Sequence, residues 1–321
     1  MEKLNLKDKK LLYWLDQNSR TTNKELGKKV GLTEQAIGYK LKRLEEKGII
    51  KKYVTFVNTL ALGYQHYKVL LRLENINIEK ENEIIKYLTN NNNIRWVVSC
   101  SGKWDINFSI MAKKPEDFVM IYRKIEEKYG NYIAEKQISL LINSPGFTRG
   151  HLINQKSEKI LEYQAKKEYK IDKIDKLILK SISQNSRKNI IDISRETGAT
   201  IDIVRYRLKK LENNKIISGY TIQLGLGEIG ISRYSVYFSL HKMNEIIDKR
   251  MMQFAKYHSN VIFILNILGF YDLSLELEVL SHKDLENTIK KFREEFSENI
   301  KDFEIILNTN EHKYDFFPFK V

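Results

Sequence analysis

Two short stretches carry side chains suited to chemistry on a polyanion. The first, TEQAIGYKLKR, opens at Thr33 and presents Gln35, Tyr39, Lys40, Lys42 and Arg43 opposite an apolar stripe of Ile37, Leu41 and Leu44. The second opens at Thr200 and presents Asp202, Arg205, Tyr206, Arg207, Lys209 and Lys210 opposite Val204, Leu208 and Leu211. Stripes spaced three and four apart predict a helix in each case. Amide and guanidinium groups read base edges in the major groove, and Lys or Arg further along meets phosphates. A charge run is ordinarily just a solvated helix face. Where the charge lies in the chain therefore decides between the two.

The chain has 321 residues and a net charge of +14. Residues 1–60 hold 14 Lys+Arg against 7 Asp+Glu, and residues 168–220 hold 12 against 7. The connector 149–167 adds 5 against 2, which leaves −1 for everything else. Lysine enrichment from coding bias would be spread evenly. An excess confined to the two segments and their connector is the footprint expected of a duplex DNA binder.

Other chemistries find little support. One cysteine, Cys100, excludes an internal disulfide framework and a cysteine zinc site. It lies in an apolar run and reads as a small buried residue. The six histidines are scattered, and the chain has no P-loop and no Gly-rich dinucleotide turn. No metal and no cofactor are expected. No run is apolar and long enough to span a membrane, and MEKLNLKDKK is not a signal peptide. A cytoplasmic protein is the simplest reading.

The elements that position these residues occur twice. QNSR stands at Gln17–Arg20 and again at Gln184–Arg187, an offset of 167 that continues without gaps from Asp8/Asp175 to Asp105/Asp272. Each copy begins with three helices. The second is opened in copy one by a Thr22/Glu25 capping box and closed by Gly31, which is a helix-turn-helix layout. A strand, IIKKYVTFV, follows and is expected to make the unit winged. The rest of each copy alternates as βαββαβ. Its strands are read at 65–73, 94–100, 105–112 and 132–142 in copy one, and at 233–241, 261–267, 272–279 and 300–309 in copy two. Helices are read at 79–89, 115–129, 244–257 and 282–296. The fold class is α+β, with two tandem modules, each a winged helix-turn-helix followed by a ferredoxin-like domain. The divisions are 1–60, 61–148, a linker 149–168, 169–227 and 228–321, with part of the linker read as an exposed helix.

LKDKKLLYWL, then LTEQAIGYKLKRLEEKGII, then the turn SGKWD resembles the leucine-responsive (Lrp/AsnC, or feast–famine) transcription regulators, twice over. The resemblance implies DNA binding through the third helix and pairing through the βαββαβ domain, with further homo-oligomerisation common. It also implies an amino-acid or related effector near the Gly-x-aromatic-Asp turns. Carried over, those turns give Ser101, Gly102, Trp104 and Asp105, then Gly269, Tyr271 and Asp272. The chain departs from the pattern at Leu268, where a hydroxyl is usual, and at Lys103 and Phe270, where a small acid or amide is usual. The turns also have a purely structural reading, in which Gly bends the chain, the aromatic packs and Asp caps.

A repeated reader in one chain implies a covalent pseudo-dimer. Its half-sites would differ, because Gln35, Gly38 and Tyr39 stand where copy two has Asp202, Arg205 and Tyr206. Two alternatives stand beside this regulator. One is a sirohaem-decarboxylase-like haem-pathway enzyme, which shares the resemblance. The other is an architectural DNA-binding protein without an effector. The tail YDFFPF (314–319) is expected to pack on a neighbour or on its own sheet.

Overall fold

The computed structural model describes residues 2–156, 160–161, 169–317 and 319. Copy one runs α1 (Leu6–Gln17), α2 (Asn23–Val30), α3 (Glu34–Glu46), β1 (Ile50–Val57), β2 (Gln65–Leu73), α4 (Ile78–Asn90), β3 (Ile94–Ser101), β4 (Ile106–Ala112), α5 (Pro115–Tyr129) and β5 (Ile133–Asn143). Two short strands follow, β6 (Gly146–Phe147) and β7 (Ile160–Leu161). Copy two runs α6 (Lys173–Ser183), α7 (Ile190–Thr197), α8 (Ile201–Asn213), β8 (Ile217–Leu224), β9 (Ser232–Leu240), α9 (Glu245–Tyr257), β10 (Val261–Leu268), β11 (Leu273–Val279), α10 (His282–Glu295) and β12 (Ile300–Tyr314).

Local chemistry sets the helix ends. Thr22 and Glu25 bond each other's backbone amides, and Gly31 closes α2 in the left-handed region at φ 73°. Gly198 repeats this closure at φ 68°. An L side chain there would meet its own carbonyl, so glycine is favoured. After α3 the turn is made by Gly48 at φ 66°, but its counterpart in copy two is Lys215 at φ 57°.

The strands pair across the copies. β1 lies antiparallel to β8, so the expected wing strands of the two helical units pair with each other in one shared ribbon. The reason is burial: a lone strand cannot satisfy its backbone, and each copy supplies the other's partner. The exchange extends to the cores. Ile222, Leu224, Ile229 and Ile231 of copy two pack under α1–α3. Val54, Phe56, Val57, Ala61 and Leu62 of copy one pack under α6–α8. Each such buried side chain contributes roughly 1.5–3 kcal/mol, so the helical units are stabilised by each other's strands.

Within each βαββαβ unit the strand order is ferredoxin-like: β3-β4-β2-β5 and β10-β11-β9-β12. β12 then pairs with β3, and β5 with β10, closing the eight strands into one ring. Helices α4 and α5 cover one outer apolar layer, and α9 and α10 cover the other. The ring's interior holds Leu70, Trp104, Leu141, Tyr237, Leu265, Ile267, Tyr271 and Ile306.

Only part of the linker bears on the expectation of a helix there. Its described part makes a 3-10 turn at Gly150–Leu152 and the strand β7, which pairs with β6, rather than an exposed helix. Residues 157–159 and 162–168, on which the rest of that expectation falls, lie outside the described residues. The tail packs on the protein itself: Tyr314 and Phe316 are buried, and Phe316 stacks on Phe56 at 4.2 Å. Pro318 lies outside the described residues.

Candidate DNA interface and effector turns

Both candidate reading helices are capped by threonine. Thr33 accepts from the Ala36 amide and Thr200 from the Ile203 amide. Their inward stripes are fully seated, with Ile37, Leu44, Val204 and Leu211 at 0 % exposure. This orients Gln35, Tyr39 and Lys42 together towards solvent on α3, and Asp202, Arg205, Tyr206 and Lys209 on α8. The phenols are notable, because Tyr39 is 79 % and Tyr206 66 % exposed at matched positions. A large ring is ordinarily kept from water unless a partner covers it.

The remaining cations are engaged within the fold, Arg43 while still exposed. Lys40 Nζ and Arg43 Nη2 bind the two oxygens of buried Asp8 at 2.6 and 2.9 Å. In copy two Arg207 bonds Asp172 at 2.6 Å and Asp175 at 3.3 Å. These three residues tie the third helix to the first and fix its angle. Lys210 lies 5.9 Å from the Tyr169 ring. The readers also differ in charge: Arg205 is held by exposed Asp202 at 2.8 Å, whereas copy one has Gly38 and Gln35 there.

The duplicated QNSR proves to be a clasp between the copies. Ser19 and Ser186, 167 residues apart and both at 0 % exposure, share a hydrogen bond of 2.6 Å. Arg20 donates to the Ser186 carbonyl and Arg187 to the Ser19 carbonyl. Arg20 lies over Tyr220 and Arg187 over Tyr53, each at 5.4 Å. The motif was legible as a repeat, but its role needs both copies at once.

The two candidate effector turns abut the opposite copy. A Cβ on Gly102 would lie 3.7 Å from the Ile305 carbonyl, and one on Gly269 would strike Ser139 at 2.5 Å. Trp104 (0 %) and Tyr271 (3 %) meet inside the ring. Asp105 accepts from the Leu73 amide at 2.6 Å, and Asp272 from the matched Leu240 amide at 2.7 Å. Ser101, Gly102 and Gly269 remain at the surface. The aromatics and acids are thus engaged within the fold, and the small residues offer the open face.

A buried ionic network lies outside every sequence expectation. Arg149, 7 % exposed in the linker, grips Glu278 through Nε at 2.8 Å and Nη2 at 3.1 Å. Its Nη1 bonds Asp16 at 2.5 Å and the Ile222 carbonyl at 3.3 Å. Arg233 bonds the same Glu278 at 2.6 Å and Glu311 at 2.7 Å. Burial alone would raise the Glu278 carboxyl, but the two guanidiniums hold it far below its ordinary value. Burial likewise opposes the charge on Arg149, and Glu278 and Asp16 overcome it. The network ties the first helix to the linker, the shared ribbon and the second sheet. The positions matching Arg149, Asp16 and Glu278 are Phe316, Ser183 and Met111, so no repeat signal marks it.

Burial pushes the Cys100 thiol up to about 12, which leaves little thiolate at neutral pH. Among the described residues no cluster of His, Cys, Asp and Glu could hold a metal ion, and no helix is long and apolar enough to cross a membrane.

Comparison with known proteins agrees with this layout. The winged helix-turn-helix DNA-binding family matches residues 4–51 and again 171–218. The HTH-type transcriptional regulator LrpA of Pyrococcus horikoshii is 32% identical over 117 residues, covering 36% of this chain and 80% of LrpA. LrpB of Bacillus subtilis is 28% identical over 125 residues, covering 39% of this chain and 82% of LrpB. Over the whole chain, the fold is similar to the crystal structure of the siroheme decarboxylase NirDL. Its TM-score is 0.60 at 13% identity, over 97% of this chain and 93% of that one. With two winged helix-turn-helix units, two ferredoxin-like units and relatives matched over most of their own length, the chain belongs to the Lrp/AsnC family of transcription regulators.

Proposed function

We propose that the chain is a non-enzymatic, cytoplasmic, sequence-specific regulator that acts as a covalent pseudo-dimer and reads an asymmetric operator. The observation that carries this reading is the pair of solvent-facing reader surfaces, Gln35/Tyr39/Lys42 and Arg205/Tyr206/Lys209, set on one ribbon and clasped by Ser19 and Ser186. Thr33 and Thr200 cap the reader N-termini, where a nearby phosphate is favoured by the helix dipole. Lys40, Arg43, Arg207 and Lys210 serve mainly to hold the readers in register, and reach phosphates only from the flank. Different readers on a fixed frame favour different half-sites. A small metabolite, an amino acid among them, tunes the complex. The open residues Ser101, Gly102 and Gly269 offer it a rim between copies or between assembled molecules.

Binding to duplex fragments of its own genome across a salt series tests this. A few fragments should bind far above the rest, with log affinity falling by about 0.9 per phosphate neutralised as log salt rises. Enriched sequences should be non-palindromic. Equal binding to all fragments would make the protein architectural, and a perfect palindrome would remove the asymmetric reading.

A second reading rests on the whole-chain likeness to a siroheme decarboxylase. Against it stands the identity of its sequence relatives, which are transcriptional regulators. An absorbance titration with sirohaem discriminates, since a Soret shift followed by loss of carboxylates would favour the enzyme.

A further inference from the structure

At the end of the ring facing the shared ribbon lies a cavity of about 70 Å³. Its walls include both members of three matched pairs: Arg95 with Ile262, Trp96 with Phe263, and Ser109 with Glu276. It therefore sits on the pseudo-two-fold axis. Register places Lys68, Ser109 and Trp96 side by side across β2, β4 and β3. The corresponding row of copy two is Ser235, Glu276 and Phe263. In a dimer of identical chains these walls would be identical, and an unsymmetrical ligand would meet two equivalent, mutually exclusive poses. Here divergence has made one wall cationic, with Lys68 and Arg95, and the other mixed, with Arg233 and Glu276.

The polar groups are not all used. Glu276 accepts three hydrogen bonds, from Lys68 at 3.2 Å, Ser235 at 2.6 Å and Ser274 at 3.3 Å. The Ser109 hydroxyl lines the cavity, is 2 % exposed and has no hydrogen-bond partner. A buried hydroxyl without a partner costs about 1–3 kcal/mol, so a group that accepts from it is favoured there. Three of the four charged lining residues, Lys68, Arg95 and Arg233, are cationic. The remaining lining is largely aromatic, and Arg95 lies over the ring of Phe316 at 5.2 Å, where the tail closes the cavity. At roughly 10–15 Å³ per water position the space holds about five to seven waters, the bulk of a small ring or short branched chain.

We propose that this on-axis cavity is a second ligand site, apart from the rim at the turns, and takes a small monocarboxylate with an apolar body, its carboxylate on Ser109 and Arg95 and its body against Trp96 and Phe263. The regulatory half of this inference rests on the regulator reading above; the binding half does not. Phe56 of the ribbon and Phe316 of the tail both line the cavity and pack in the core beneath the second reader. Occupancy would thus be felt at α6–α8.

The test is calorimetry of the full chain with benzoate and with benzamide, its uncharged analogue. Benzoate should bind saturably, at millimolar or tighter affinity on the order expected for nine heavy atoms, and benzamide much more weakly. Arg95→Met, at a partly exposed position, should weaken benzoate by about tenfold or more and leave benzamide unchanged. Ser109→Val, which fills the site, should weaken both. Thermal melts identify a variant that fails to fold, and Arg95→Met alone then decides. No saturation by 10 mM benzoate (about ten times the millimolar affinity expected), or equal binding by wild type and Arg95→Met, overturns the site. Benzoate bound without change in DNA affinity upholds the site and overturns its regulatory role. A protein that binds benzoate but no DNA overturns the regulator reading alone.

Discussion

Arg149→Met is expected to lower stability by about 3–5 kcal/mol, the range for removing one partner from a buried ionic network. Met keeps the aliphatic stem and removes the guanidinium, so the loss is chiefly electrostatic: Asp16 and Glu278 remain at 6 % and 0 % exposure without their shared cation. Urea unfolding checks it, and a loss under about 0.5 kcal/mol, an ordinary surface value, would show that water already solvates the site. The double variant Arg149→Met/Asp16→Asn should recover part of the loss, because one stranded charge is gone. The pH dependence has a definite sign. Glu278 is held below its unfolded value of 4.5, so its contribution is present above that pH and is lost as pH falls through and below it. Wild type should therefore weaken on acidification from about pH 5, and Arg149→Met should show a flatter acid limb because less depression remains to be lost.

That the largest expected stability effect falls on a linker residue shows where sequence reading reached its limit. Helix boundaries were legible because they are local: Thr22 with Glu25, Thr33, Pro115 and Gly31 each act within a few residues. Strand positions followed from alternation, and most lie within two residues of the structure; the last strand runs on to Tyr314. Partners were not legible. Nothing in IKKYVTFV says that it pairs with its own counterpart 167 positions on. The same holds for β12 on β3 and β5 on β10, so neither copy closes its own sheet. The reader faces were readable from helical period alone. That Lys40, Arg43 and Arg207 are engaged within the fold was not, because Asp8 and Asp175 sit in sequence like ordinary first-turn acids. The cavity was invisible for a related reason, since Lys68, Ser109 and Glu276 become neighbours only when the ring closes.

Disabling one reader is expected to cost far more affinity than its own contacts supply. In Gln35→Ala/Tyr39→Ala/Lys42→Ala only solvent-facing groups are lost, and the Asp8 ties to Lys40 and Arg43 remain. With both readers intact, the second engages at an effective concentration near millimolar, so tethering multiplies affinity by about 10²–10⁴. The variant forfeits that factor and should retain only what α8 supplies, with a salt slope reduced by about 0.9 for the lost lysine. The matching variant, Arg205→Ala/Tyr206→Ala/Lys209→Ala, should lose about as much on the full operator. On isolated half-sites the two should part: each retains the half-site that its surviving reader recognises and is blind to the other. Gel shifts on the two half-sites, each placed in a fixed neutral flank, measure this directly. If both variants weaken alike on both halves, the readers share one specificity despite their different side chains, and duplication supplies avidity alone. If neither variant weakens, α3 and α8 do not face the duplex. The DNA would then have to be held elsewhere, and the lysines of the connector 149–167 are the next residues to replace.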